Sequence, residues 1–563
     1  MSTFPTPPAA VPPTSTEVCD AYLERLAARK EHWLTVSNPE RCAYLKRCLN
    51  GVMDVADAWA KDGSKLKGIQ PGTVYEGEEW LAGPMTTVRN IRLLIEAIEA
   101  NGQPKPPKVR QRPDGQKVVD VFPTNLYDRI LFTGVSAEVW VEPGQPASQG
   151  QGYRNRPTEG KVNLTLGAGN VSSIPPMDIL YKLFVEDEVV ILKMNPVNEH
   201  VGPKLERAFR ALIDDGYLAI VYGGVEVGKY LTDHPLVDTL HVTGSDKTYD
   251  AIVWGPDPAE QARRKSQNEP VNARPFTAEL GCVTPVMVVP GEWSESDMTF
   301  QARNIVGMVT QNASFNCNAA KVVVVANGWP QRERFLQILR ETLRAAPPRK
   351  AYYPGAQKRY EGFLSAYPQA EVLGKTGDEI VPWTFIPDVP AQQGEYALVN
   401  EAFCGVLAEV SIDADDAKSY LSRAVPLCNE VLWGTLSCMM IVHPKTERAH
   451  KDAVEQAIAD LEYGAVAVNT WAGMVYGLVV TTWGAFPGHP PQDIQSGTGV
   501  VHNSYLIDHP QKTVVRSPFK PGATPVWFAD HKTLDGTGKR LTDFEAKPGI
   551  RRMVALAANA LRG

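Results

Sequence analysis

The chain contains no CxxC pair, no long apolar run and no excess of basic residues, and each absence removes a class of function. Its eight cysteines (Cys19, Cys42, Cys48, Cys282, Cys317, Cys404, Cys428 and Cys438) and ten histidines are not spaced like a zinc ribbon or finger, so no bound metal is expected. The thiols read as reduced, which points to a cytoplasmic protein. No stretch approaches the roughly 18 apolar residues that a bilayer-spanning helix needs, so the sequence predicts no membrane partner. With 57 Lys+Arg against 64 Asp+Glu, a formal charge of −7, nothing singles out nucleic acid as a partner. Residues 1–16 are rich in Pro, Ser and Thr and lack the basic and apolar regions of a signal peptide, so they read as a disordered N-terminal tail.

What the chain does have is length and alternation. Its 563 residues can bury a large core without staples. Helices are expected first: Thr14–Glu17 fits a capping box, and Tyr44, Leu45, Cys48, Leu49, Val52 and Met53 form one apolar stripe after Pro39. Gly102–Gly115 and Pro143–Gly160 read as loops. From about Leu164, β-branched runs alternate with helix-like segments. Strands are predicted at Val189–Leu192, Leu218–Tyr222, Thr239–Val242, Val286–Val289, Lys321–Ala326 and Leu407–Ile412. Helices are predicted over Val201–Asp214, Asp297–Gln311 and Gln331–Leu343, giving two α/β lobes.

Several segments carry possible chemistry. Gly223–Lys229 has phosphate-loop spacing but is followed by Tyr230, so the magnesium-binding hydroxyl is missing and a plain glycine turn is the better reading. Gly167-Ala168-Gly169-Asn170 is half of a dinucleotide fingerprint. The strand ending Thr243-Gly244-Ser245 runs into a helix start whose free amides suit an anion, although it also fits an ordinary cap. Cys317 sits among small and amide residues rather than the bulky neighbours of a packed thiol. Glu279, between Ala278 and Leu280, becomes a general-base candidate if buried, because burial raises a carboxyl's pKa.

Together these segments resemble the aldehyde dehydrogenase superfamily in order and spacing over about residues 20 to 515. Asn170 precedes Lys193 by 23 residues, as the family's asparagine precedes its strand-ending lysine. Thr243-Gly244-Ser245, Glu279-Leu280-Gly281, Asn312 five before Cys317, Glu401-x-Phe403, Gly464 to Asn469 and Ala485-Phe486-Pro487-Gly488 follow in family order. The sequence departs from the family where Gly-Ala-Gly-Asn170-Val replaces the usual Pro-Trp-Asn-Phe-Pro, where Cys282-Val283 follows Gly281, and where Pro196 stands three after the lysine. Glu199 is left as a candidate for discriminating NAD from NADP, or as an ordinary helix-start acid.

The resemblance implies a Rossmann-like cofactor-binding lobe (17–136 and 167–278), an α/β catalytic lobe (279–484) and a small oligomerisation hairpin (137–166 and 503–516) exchanged between subunits of a homodimer or homotetramer. A C-terminal extension (517–563) and an insertion at Trp254–Pro275 have no counterpart. It further implies Cys317 as nucleophile, Asn170 as oxyanion donor and Glu279 as base. Lys193, Thr243, Gly244, Ser245, Glu401 and Phe403 would meet NAD or NADP, and Trp471 and Tyr476 would line an apolar funnel for the aldehyde. The implied reaction is oxidation of an aldehyde to an acid. The rivals are a CoA-acylating relative, a catalytically inactive binding protein of the same fold, and a cysteine hydrolase pairing Cys317 with His241 or His443.

Overall fold

The computed structural model describes residues 11–563; Met1–Ala10 of the expected tail lie outside the described residues. Val11–Ser15 are ordered rather than tail-like, because Thr14 and Tyr222 bond to each other through both backbone and hydroxyl. The first helix, Thr16–Thr35, is capped by Ser15 rather than Thr14. The stripe after Pro39 lies on the helix Asn38–Leu66, which buries Tyr44, Leu45, Cys48 and Val52.

Strands follow in this order: β1 (Lys108–Gln111), β2 (Lys117–Phe122), β3 (Ser136–Val141), β4 (Lys161–Leu166), β5 (Glu188–Lys193), β6 (Leu218–Val221), β7 (Thr239–Thr243), β8 (Phe276–Glu279), β9 (Pro285–Val288) and β10 (Val322–Ala326). After them come β11 (Glu371–Val372), β12 (Thr384–Ile386), β13 (Val406–Ile412), β14 (Ser437–Ile441), β15 (Ala465–Val468), β16 (Trp483–Gly484), β17 (Gly497–Thr498), β18 (Val500–His502) and β19 (Pro510–Arg516). Val, Ile and Leu dominate β5, β6, β9 and β10, which are buried throughout, as strands covered by helices on both faces must be.

Two sheets carry the fold. One has the order β17-β8-β7-β4-β5-β6, parallel from β8 to β6 with β17 antiparallel at its edge. The other runs β1-β2-β3-β19-β15-β14-β9-β10-β13-β12-β11, with a parallel centre. Most of the predicted elements lie within a residue or two of their expected places. The helix predicted over Val201–Asp214 is interrupted at Phe209, where Ala208 is so close to Gly51 that a side chain on Gly51 would sit 2.5 Å from the Ala208 carbonyl oxygen. Gly102–Gly115, read as a loop, contains β1, an exposed edge strand with no apolar alternation to reveal it. Pro143–Gly160, the other loop, holds only the short helix Gln151–Arg154.

β19 lies antiparallel to β3 and parallel to β15, joining the hairpin to the sheet that carries β9 and β10. Buried Lys512 donates to the carbonyls of Ile458, Ala459 and Leu461 at the end of the helix Lys451–Asp460, and Arg516 pairs with Glu455 at 2.9 Å. A charged group meeting several carbonyls makes such a junction specific in register as well as adhesive. Cysteines placed at Glu455 and Arg516 in a Cys317→Ala background should therefore be joined by a short bis-maleimide into a chain of monomer size on a denaturing gel. A covalent dimer would mean that β19 is exchanged.

Candidate active site

The topology decides where side chains converge. In the six-stranded sheet the chain moves from β4 outward through β5 to β6, then returns to β7 on the other side of β4, opening a crevice at the carboxyl ends of β4 and β7. Asn170 lies just beyond β4, Lys193 ends β5, Thr243-Gly244-Ser245 close β7, and Glu279 ends β8. The chain then crosses through Leu280-Gly281 into the second sheet, where Cys317 precedes β10 and Glu401 and Phe403 precede β13. The carboxyl edge of one sheet thus faces the amino edge of the other.

Two voids meet there. A cleft of about 1240 Å³ is lined by Asn170, Lys193, Thr243, Gly244, Ser245, Glu401 and Phe403, and an apolar tunnel of about 180 Å³ is lined by Trp471 and Tyr476 among others. Cys317 and Glu279 border both voids. Cys317, Glu279, Asn170 and the residues expected to meet cofactor and aldehyde are therefore gathered around one junction.

The loop that presents Cys317 is strained and locked. Asn312, Ala313 and Ser314 all take the left-handed conformation (φ 54°, 54° and 71°), which costs of order 1–3 kcal/mol per residue for side chains other than glycine. An amide network holds it. The Asn312 side-chain amide reaches the Asn170 carbonyl (3.1 Å), the Phe315 carbonyl (3.2 Å) and Asn316 Oδ1 (2.9 Å), while its own Oδ1 accepts from Tyr352 Oη (3.0 Å). Asn170 returns a bond from Nδ2 to the Phe315 carbonyl (2.9 Å), and Trp471 Nε1 ties down the Asn318 carbonyl (2.8 Å). Of the eight cysteines, all free, Cys317 alone is not fully buried.

Burial dominates the electrostatics. It pushes Glu279 up to about 8, against opposing hydrogen bonds that include one to the Cys317 thiol. It also raises Cys317 well above a free thiol, with the negative charges of Glu279 and Glu401 adding to the effect and Lys321 opposing it. Glu401 is raised to about 7 by burial, partly offset by Lys321, whose ammonium lies 3.8 Å from its Oε1. Lys321 also donates to the carbonyls of Asn316 and Ala319, so it fixes the loop that carries Cys317 and places a cation beside Glu401.

The cleft has the chemistry of a dinucleotide site. Glu401 Oε1 is buried without a hydrogen-bond partner, a free acceptor for a hydroxyl. Gly281 packs directly against it, since a side chain there would lie 2.1 Å from Glu401 Oε2 and displace that carboxylate. Lys193, lowered by burial to about 8, lines the crevice from β5. Ser245 spends its hydroxyl as the cap of the helix Asp246–Val253, accepting from Thr248 N, so the anion-facing groups of that turn are its backbone amides. Glu199 is turned away: it accepts from the Gly223 N–H (3.1 Å) and holds the turn after β6. That turn carries the phosphate-loop spacing. Its Lys229 pairs with Asp233, while Gly224 and Gly228 border the cleft. The insertion forms the helix Pro258–Gln267 and contributes Asp257, Glu260 and Arg264 to the cleft wall.

His241 bonds Thr277 and Thr243 beside Asp178, and His443 caps the helix Pro444–Ala449, so the histidine partners weighed for Cys317 are engaged elsewhere. Sequence reasoning missed Lys321, Tyr352 and the tunnel residues Trp527 and Leu541. Lys321 alone carried a local signal, a lysine four residues after the nucleophile at the mouth of a buried strand.

Because the carboxylate of Glu279 disfavours the neighbouring thiolate, Glu279→Gln should lower the thiol's pKa and speed alkylation of Cys317 by iodoacetamide severalfold in mildly alkaline buffer, read by mass spectrometry. An unchanged or slower rate would show that the two groups do not share a charge environment.

The aldehyde dehydrogenase family model matches residues 184–354, a segment holding Lys193, Thr243-Gly244-Ser245, Glu279 and Cys317. No curated protein matches the chain. Among solved structures it is similar to an aldehyde dehydrogenase from Pseudomonas aeruginosa (16% identity, 90% of each chain, TM-score 0.61). It is also similar to a Mycobacterium tuberculosis aldehyde dehydrogenase complexed with NAD+ (17% identity, 92% of this chain and 95% of that one, TM-score 0.60). A third likeness is an NADP-dependent glyceraldehyde-3-phosphate dehydrogenase from Bacillus halodurans complexed with NADP (16% identity, 90% and 92%, TM-score 0.58). At these identities the structural likenesses establish a common fold, that of the aldehyde dehydrogenases, and the family model matches the segment at the centre of that fold.

Proposed function

We propose that the protein oxidises an aldehyde to a carboxylic acid with NAD or NADP. The observation that carries this reading is the placement of Cys317 and Glu279, which both border the point where an apolar tunnel meets a dinucleotide-sized cleft. The aldehyde enters by the tunnel and the Cys317 sulfur attacks its carbonyl, the thiol proton passing to a neighbouring base. The Asn170 side-chain amide, which has a second N–H beyond the one given to Phe315, and the Cys317 backbone N–H hold the resulting oxyanion. Lys193, Glu401, Phe403 and the amides after Thr243 would hold NAD or NADP, which would supply the acceptor for the hydride lost as the Cys317 adduct becomes a thioester. Glu279 then takes a proton from water, which attacks the thioester and releases the acid and the free thiol.

The carboxylate form of Glu279 is the working one in that last step. Since its pKa is raised to about 8, the fraction able to accept a proton grows as pH rises towards 8, and turnover should climb along this limb. Glu279→Gln should flatten the limb and slow the steady state while a first burst of reduced cofactor persists, seen by stopped-flow absorbance. Lys193→Ala should raise the cofactor KM by about tenfold or more, the loss of a charge-assisted hydrogen bond of about 1.5–3 kcal/mol.

The deciding experiment is reduced-cofactor formation from a panel of aldehydes with NAD or NADP, with and without CoA, using Cys317→Ala as the blank. Turnover that depends on Cys317 and needs no CoA is expected. Turnover only with CoA would assign the acylating reaction, and no turnover with any combination would favour a binding protein.

A further inference from the structure

We infer that the C-terminal extension, residues 517–563, is the specificity element of this site, and that it fits the tunnel to an aldehyde carrying one uncharged apolar group about the size of a single aromatic ring. The inference rests on the proposed oxidation for its chemistry and on the tunnel alone for its geometry. Val526, Trp527, Leu541 and Glu545 line the same void as Cys317, so the extension forms a wall of the tunnel.

That wall is built in rather than draped over the surface. Trp527 Nε1 donates to Asn304 Oδ1 (2.8 Å), and its backbone lies so close to Gly307 that a side chain there would sit 2.5 Å from the Trp527 carbonyl oxygen. The helix Leu534–Ala546 makes an equally close contact, since a side chain on Gly77 would lie 2.3 Å from the Leu534 carbonyl carbon. Buried Glu545 accepts from both Arg89 and Arg92, which hold its carboxyl below the usual range despite its burial. Arg89 Nε is in turn fixed to the carbonyl of Leu478 (2.7 Å), another residue of the tunnel wall.

The size and the charge of the void define the ligand. At about 180 Å³ the void is comparable to the roughly 150 Å³ apolar cavity that accepts a benzene molecule. The ionised side chains on its wall are already matched, Arg89 with Glu545 and Glu78 with Arg349. A negative charge on the aldehyde would therefore be desolvated against Trp527, Leu541 and Met85 with no free cation on the wall, which costs several kcal/mol.

The test compares kcat/KM for phenylacetaldehyde, 2-naphthaldehyde, propanal and succinic semialdehyde in the wild type, Trp527→Ala and Leu541→Trp. In the wild type phenylacetaldehyde should be the best substrate and the semialdehyde the poorest. Trp527→Ala should raise the ratio of 2-naphthaldehyde to propanal about tenfold, and Leu541→Trp should lower the ratio of phenylacetaldehyde to propanal by a similar factor. Calorimetric titration with phenylacetamide, which cannot be oxidised, reads the tunnel without turnover; Leu541→Trp should weaken this binding about tenfold. If no aldehyde is oxidised, the proposed reaction fails, and the titration still decides the inference. Ratios and phenylacetamide affinity that neither variant moves would overturn it, as would a wild-type preference for the semialdehyde.

Discussion

The side-chain amide of Asn312 is the point on which the site depends. It sits between the loop that follows β4 and the loop that carries Cys317, and bonds to both. Without it, three consecutive left-handed residues would have no reason to stay where they are, since each prefers another conformation. Behind it, Tyr352 holds the Asn312 oxygen and the Asn170 carbonyl, and Lys67, paired with Glu79, reaches the same carbonyl. The position of Cys317 relative to Asn170 is therefore set by buried hydrogen bonds. Such a network loses much of its value when any one member is removed.

Around this fixed loop the charges are arranged so that none is wasted. Glu279, Glu401 and Cys317 would each be costly to ionise alone in so dry a place, and burial raises all three. Lys321 is the offsetting cation, held by carbonyls from the same loop. The resting site is thus close to neutral, and charge develops only when a proton moves. The segment after Ile494 supports the crossing between the lobes: the Ser496 carbonyl accepts from Leu280, and Ser496 Oγ donates to the Gly281 carbonyl.

Much of this was legible in the sequence because it is written locally. The buried strands announce themselves as β-branched runs, and the groups that surround Cys317 and Glu279 lie in short motifs whose order along the chain follows the order of the strands that deliver them. The junction itself follows once the strands are ordered, since Glu279 ends a strand of one sheet while Cys317 and Glu401 precede strands of the other. What could not be read depends on partners far apart in the chain. Nothing near Glu545 signals Arg89, nothing near Trp527 signals Asn304, and β19 carries no mark that says whose sheet it joins. Glu199 is the opposite case: an acid in a plausible place for ribose recognition is taken by a backbone amide across a turn, a choice that only the packed geometry makes.

The position of β19 also bears on how the chain is made. It lies in the interior of the eleven-stranded sheet, flanked by β3 from the first third of the chain and β15 from the last. The chain must therefore hold one edge of each flanking strand open, β3 paired only with β2 and β15 only with β14, until β19 has been synthesised, and pairings of such long range form slowly. Two open strand edges kept waiting are the condition under which nascent chains associate with one another. The same strand that gives the finished protein a continuous sheet makes its last hundred residues the ones on which productive folding waits.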